Sequence, residues 1–165
     1  MSALEILIYP DKQLRIPTQP ATLFNASLQR FVKDMFETMY EDEGCGLAAP
    51  QVGSQQRLFV MDTSRNQTAP ICMINPEIVR HEDSIISDEG CLSFPGVYAQ
   101  VERFKIITVQ FKDVNGQTNE LTLDGLAANC VQHELDHLNG ILFIDHLSKL
   151  KRDRILKKLE KVQRA

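Results

Sequence analysis

Apolar positions recur along the chain with two different spacings, and each spacing predicts a different kind of element. From Asn25 to about Glu43, residues Leu28, Phe31, Val32, Met35, Phe36, Met39 and Tyr40 fall at i, i+3, i+4, i+7, i+8, i+11 and i+12. That is one face of an α-helix turned towards a core. Asn25 or Ser27 can cap its start, and Gly44 can end it. Arg57 to Met61 is a short, mostly apolar run of strand type. Lys105 to Phe111 and Thr118 to Leu123 flank an Asn115-Gly116 pair, which predicts a hairpin closed by a type I′ turn. Asp124 then opens a second helix that closes near Gly140. Leu126, Ala127, Cys130, Val131, Leu135 and Leu138 leave apolar residues on nearly every side of it, so it is expected inside the protein. Ser148 to about Gln163 forms a third helix with a narrow apolar stripe of Ile155, Leu159 and Val162, with Leu156 beside it. Helices separated by antiparallel-type strands predict an α+β fold: antiparallel or mixed sheets wrapped around a buried central helix, with one helix N-terminal and one C-terminal to them. No repeat, low-complexity tract or linker divides residues 1–165, which are expected to form one domain.

Composition narrows the class. With 165 residues, 43% hydrophobic and 24% charged, the chain can bury a sizeable core, and it suits neither disorder, nor collagen, nor a disulfide scaffold. A net charge of −4 argues against a general nucleic-acid binder and against DNA as a partner. The charge is unevenly spread, however. Residues 149–164 carry eight of the 18 Lys and Arg and two of the 22 Asp and Glu, which leaves an acidic body of net −10 and a basic tail of net +6. The first residues, Met1-Ser2-Ala3-Leu4-Glu5, lack the basic and apolar regions of a secretory signal. No apolar run approaches the roughly 20 residues of a membrane span. A cytoplasmic monomer without membrane partners is expected. The four cysteines, Cys45, Cys72, Cys91 and Cys130, are widely spaced and form no CxxC pair, so each is considered singly.

The second helix carries a conflict that points to chemistry. His133-Glu134-Leu135-Asp136-His137 sets four ionisable groups into an otherwise apolar segment, where burying them unpaired costs several kcal/mol. His133 and His137 are one turn apart on one face, a spacing that lets both imidazoles reach one metal ion at roughly 2.0–2.1 Å. Glu134 lies about 100° round the helix, near enough to serve a bound water without being a ligand. A catalytic site of this kind takes three protein ligands and leaves a position open. His146 and Glu160 are downstream candidates for the third, but His146 suits a loop histidine and Glu160 a solvated salt bridge. Cys91, in Glu89-Gly90-Cys91-Leu92-Ser93, is the better candidate, because a thiolate beside a glycine can approach a metal closely. His81, among Arg80, Glu82 and Asp83, is expected to be solvated. Cys72 and Cys130 are expected to pack, with Cys130 able to line a pocket. Asp136 can orient a ligand or pair with an arginine, for which Arg103 is the candidate. Segment 44–51 is no phosphate cradle, since no Gly-Lys-Ser/Thr follows and a helix precedes it.

Three segments together carry a resemblance: Gly44-Cys45-Gly46-Leu47-Ala48-Ala49-Pro50-Gln51, then Glu89-Gly90-Cys91-Leu92-Ser93, then Gln132-His133-Glu134-Leu135-Asp136-His137. In their order and spacing they resemble the peptide deformylases over nearly the whole chain. The resemblance implies an enzyme that removes the formyl group from N-formylmethionine of nascent polypeptides. It implies Cys91, His133 and His137 as ligands of one divalent metal, usually Fe²⁺ and replaceable by Zn²⁺, Ni²⁺ or Co²⁺, with water in the fourth position. Glu134 is implied as general base and acid, and Gln51 with the Leu92 N–H as oxyanion donors. Gly44, Cys45 and Gly46 are implied to lie beside an extended substrate, with Leu126, Asn129 and Cys130 around its methionine. Cys45 stands where the family usually has Ile or Val, and Asn129 where many members have a larger apolar or basic residue; both bear on side-chain preference. The basic C-terminal helix docks on the ribosome in some relatives, which makes docking an expectation here. Two other functions fit the bare motif: an HExxH metallopeptidase and a non-catalytic, metal-stabilised binding module.

Overall fold

A single antiparallel meander forms the sheet. In the computed structural model, which describes residues 4–164, β1 (Gly46–Ala48), β2 (Leu58–Met61), β3 (Ile71–Cys91), β4 (Phe94–Lys112) and β5 (Thr118–Asp124) hydrogen-bond in chain order. Every neighbouring pair is antiparallel. Among the described residues the parallel component of the expected mixed sheet reduces to an isolated bridge between Gln19 and Gln56.

Helix α1 (Ala26–Glu41) starts where the apolar stripe starts. The Asn25 side chain accepts from the Leu28 N–H at 3.0 Å, so Asn25 is the cap and Ser27 lies within the helix. Leu28, Val32, Met35 and Met39 pack against Leu47, Leu58, Val60 and Ile74. The helix stops short of Gly44, whose N–H bonds the Met39 carbonyl at 2.9 Å.

The β4–β5 hairpin exists, but its turn differs from expectation. Lys112 pairs with Thr118, and five residues connect them. Gly116 N–H bonds the Asp113 carbonyl, Asp113 N–H bonds the Gln117 carbonyl, and only Gly116 takes a positive φ, of 80°. A type I′ turn needs positive φ at both central residues; here a turn ends in one left-handed glycine, the pattern of longer hairpin loops. The long β3–β4 hairpin was not predicted at all along most of β3. Its strand period is broken by bulges between Ile74 and Glu77 and between Ile78 and Arg80, and by positive φ at Asn75 (52°) and Asp83 (56°). Each bulge resets which face a residue occupies, so no long alternation survives in the sequence.

Helix α2 (Gly125–Leu138) is the buried one. Ala128, Cys130, Val131 and Leu138 share a cluster with Phe59, Met73, Ile107 and Val109 of the sheet. Leu126, in its first turn, is an exception at 58% exposed. Gln132 ties the helix to β4: its Oε1 accepts from the Phe104 N–H at 2.8 Å and its Nε2 donates to the Phe104 carbonyl at 2.9 Å. Helix α3 (Lys149–Arg164) is held by Leu159, buried with Phe94, Val97 and Val101. Among the described residues no helix is long and apolar enough to cross a membrane.

Candidate active site

Two elements meet at the site. Helix α2 supplies His133 and His137, and the end of β3 supplies Cys91. One donor atom from each lies within 4.8 Å of the others. Cys91 Sγ is 3.4 Å from His137 Nε2. His133 Nδ1 lies 2.8 Å from Glu89 Oε1. A carboxylate only accepts, so Nδ1 carries the hydrogen and Nε2 is left as the free donor atom. Glu89 is itself gripped by Arg103, whose Nη2 and Nε donate to its two oxygens at 2.7 and 2.8 Å. Arg103 Nη1 reaches on to Asp136 Oδ2 at 2.8 Å, the pairing expected for Asp136.

The electrostatics of this cluster suit a cation. Burial works against a charged His133, but the nearby Cys91 and the Glu89 carboxylate outweigh it and raise its pKa well above the usual imidazole range. His137 is pushed well below that range, first by burial and then by repulsion from His133. The two imidazoles therefore hold one positive charge between them rather than two. A divalent ion would satisfy all three donors in its place, and three protein ligands leave one tetrahedral position open. The donor set thus fits the metal that the sequence implied.

Glu134 is buried beside this cluster, and burial raises its carboxyl to about 8. Its Oε1 has no hydrogen-bond partner in the protein. Its Oε2 lies against Gly46, where an added Cβ would stand 2.6 Å from that oxygen and 2.7 Å from Cys130 Sγ. Only glycine lets β1 pass so close to the helix. Gln51 is oriented by its own oxygen, which accepts from the Ala48 N–H at 2.9 Å. Its Nε2 donates to Ser93 Oγ at 3.1 Å and lies 3.5 Å from Cys91 Sγ. Leu92 follows Cys91 in the tight turn from β3 to β4.

These groups open on a cleft of about 470 Å³. Gly44, Cys45, Gly46, Leu126, Asn129 and Cys130 line it, with Gln51, Cys91, Leu92, His133 and Glu134 also reaching it. Asn129 Oδ1 is buried without a partner. Cys45 is exposed and Cys130 is buried, with Cys130 Sγ 3.6 Å from the Cys45 carbonyl. The neighbouring Cys130 thiol lowers Cys45 to about 6, while that pairing and burial drive Cys130 well above the usual thiol range.

The remaining candidates lie outside the cluster. His146 is not a ligand: its Nε2 is 2.8 Å from Asp136 Oδ2, on the far side of the Arg103 network. Glu160 sits on α3, 3.9 Å from Arg164. His81 is exposed, as expected, and also stacks on Phe104 with centroids 3.8 Å apart. Cys72 packs in the α1 cluster, and burial pushes its thiol up to about 12. Three residues of the site were not anticipated in these roles. Glu89 holds His133, Ser93 engages Gln51, and Gln132 fixes α2 to the sheet. The one signal for Glu89 was its place two residues before Cys91.

Comparison with known proteins agrees with this picture. A family model described as polypeptide deformylase matches residues 3–153. A peptide deformylase of Rhodopseudomonas palustris (strain BisB18) is 48% identical over 166 aligned positions, covering 98% of this chain and 95% of that one. Peptide deformylase 1 of Pseudomonas syringae pv. tomato is 50% identical over 162 positions, covering 98% and 96%. Among solved structures, a peptide deformylase from Legionella pneumophila has a TM-score of 0.95 at 46% identity, over 98% of this chain and 96% of that one. A peptide deformylase from Ehrlichia chaffeensis, solved with actinonin, has a TM-score of 0.94 at 40% identity over the whole of both chains.

Proposed function

The chain belongs to the polypeptide deformylase family, and from that premise we propose that residues 1–165 act as one catalytic domain. Its substrate is the N-terminal formylmethionine of nascent polypeptides, and it releases formate in the cytoplasm, working as a monomer. The observation that carries this reading is the convergence of the Cys91, His133 and His137 donor atoms within 4.8 Å, beside a buried carboxyl of Glu134 whose Oε1 has no partner. We assign those three residues to one divalent ion, Fe²⁺ in the cell, with Zn²⁺, Ni²⁺ or Co²⁺ able to replace it on one thiolate and two imidazoles. When bound, such an ion supplies a nucleophile at neutral pH by lowering the pKa of a water molecule, and it polarises a carbonyl oxygen.

The chain's own residues do the rest. Glu134 Oε1, with no competing donor, takes up the proton of the attacking water and returns it to the leaving amine. Burial raises this carboxyl, which makes its ionised form the stronger base for that exchange. Gln51 Nε2 and the Leu92 N–H donate to the oxyanion. Ser93 Oγ holds one amide hydrogen of Gln51, so the second, directed towards the Cys91 sulfur, is the one available. Because Ala48 already fixes the amide, little reorganisation is needed when charge develops. Gly44, Cys45 and Gly46 border the extended peptide, and Leu126, Asn129 and Cys130 border its methionine. The exposed basic face of α3 is assigned to ribosomal RNA.

Formate release from formyl-Met-Ala by the Fe²⁺-loaded protein, prepared without oxygen, tests this directly. Glu134→Ala is expected to lose about 10²–10⁴-fold in rate while retaining its metal, measured in the same samples. Cleavage of an internal peptide bond without formate release would instead make the protein an HExxH metallopeptidase.

A further inference from the structure

Cys45 and Cys130 only border the substrate in the mechanism above and carry no chemical step, yet both line the cleft. Cys45 precedes β1 and is exposed; Cys130 is buried on α2. Cys130 Sγ lies 3.6 Å from the Cys45 carbonyl. That carbonyl is anchored by the Asp62 N–H at 2.9 Å, so the backbone on the Cys45 side is held in place. The other two cysteines are otherwise engaged: Cys91 lies in the His133–His137 cluster, and Cys72 packs with α1. An exposed cysteine whose carbonyl touches a buried thiol brings together an accessible attacking sulfur and a buried resolving one.

We propose that Cys45 and Cys130 form a reversible disulfide across the wall of the cleft by exchange with a low-molecular-weight disulfide such as glutathione disulfide. The Cys45 thiolate attacks one sulfur of glutathione disulfide, the glutathione S–S bond breaks, and one glutathione leaves as a thiolate. Cys130 then attacks Sγ of the mixed disulfide, gives up its proton, and expels the second glutathione. Two protein thiols are oxidised to one disulfide, and one glutathione disulfide is reduced to two thiols, which take up the two protons. Both sulfurs line the cleft, so bridging them narrows the wall against which the methionine side chain packs. This effect on turnover rests on the function proposed above; formation of the bond does not.

The test uses the full chain loaded with Ni²⁺, so that iron oxidation plays no part. The protein is incubated with glutathione disulfide, free thiols are alkylated, and peptides are mapped by mass spectrometry without reduction. The expected product is a Cys45–Cys130 linked peptide that dithiothreitol abolishes. Cys130→Ala should stop at a glutathione adduct on Cys45, and Cys45→Ala should leave Cys130 free. Formate release, with each protein compared to its own reduced form, should fall in the oxidised wild type and return on reduction. A stable adduct on Cys45 without a linked peptide in the wild type, or linkage of Cys45 to Cys91, overturns the proposal. A linked protein with undiminished formate release removes the closure it predicts. If the reduced protein releases no formate, the functional assignment fails while the peptide map still decides the disulfide.

Discussion

Glu89 has a hydrogen-bond donor on each side, Arg103 at 2.7 and 2.8 Å and His133 at 2.8 Å. Burial alone would push its carboxyl up, but Arg103 and then His133 bring it down to about 2. It therefore stays ionised across the working pH range and acts as a fixed acceptor for the His133 Nδ1–H. Glu89→Gln keeps the shape and removes the charge. Metal affinity is expected to fall about 10–100-fold, as for other carboxylates behind a ligating histidine, measured by chelator competition. An unchanged affinity would assign His133's orientation to helix packing alone. The convergence of the two histidines was legible in sequence, because His133 and His137 are separated by one helical turn and flanked by apolar residues. Glu89 was not, because Arg103 lies 14 residues away and only the hairpin between β3 and β4 brings the two together.

At the scale of the element, α3 joins two properties that composition kept apart. Its basic surplus invites treatment as a detachable tail, yet Leu159 is 2% exposed and packs with Phe94, Val97 and Val101. Gln163 Nε2 also donates to the Tyr9 carbonyl at 3.1 Å. Removing the helix would uncover a core cluster, so ribosome docking is better tested by charge. Lys157→Glu, Lys158→Glu and Lys161→Glu together change only exposed side chains. They should weaken ribosome binding in a salt-dependent manner and leave hydrolysis of small formyl peptides intact. Equal binding by the triple variant would reduce the basic face to a solvated one. Leu159→Ala should instead cost about 2–5 kcal/mol of stability in urea unfolding, because it opens a cavity in a packed cluster. Helices α1 and α3 were legible because their apolar residues keep the helical period, and α2 because Asp124 and Gly140 bound a segment apolar on nearly every side. Most of β3 was not, because its bulges and left-handed residues interrupt the period of two.

Over the whole molecule, two carboxylates tie together segments far apart in sequence. Asp62, after β2, accepts from Tyr40 at the end of α1 and from Ser64 and Ala69 of the following loop. Asp145 pairs with Arg15 and accepts from the Leu142 N–H. In both, burial would raise the carboxyl, but these partners outweigh it and hold it below its ordinary range. A depressed folded pKa contributes stability that is present above the unfolded value of about 4 and lost as pH falls through the lower folded value. Urea midpoints should therefore be nearly flat from pH 7 to about 5 and decline below that. Asp62→Asn should lower the midpoint at pH 7, by about 1–3 kcal/mol in unfolding free energy, and converge with the wild type in acid. Parallel curves at all pH values would show that Asp62 carries none of the acid lability.

The last residues of β3 have a wider meaning for the assembled protein. Cys91 is a donor atom of the site, and Glu89, two positions earlier on the same strand, orients the histidine that faces it from the helix. If this strand end peels away from α2, the cluster loses a donor and the support of a second in one motion. The site therefore has no half-built form with two good ligands and one poor one. Loss of the ion should be all-or-none and coincide with opening of the β3–β4 hairpin, so that amide exchange at that strand end and metal release would proceed at the same rate.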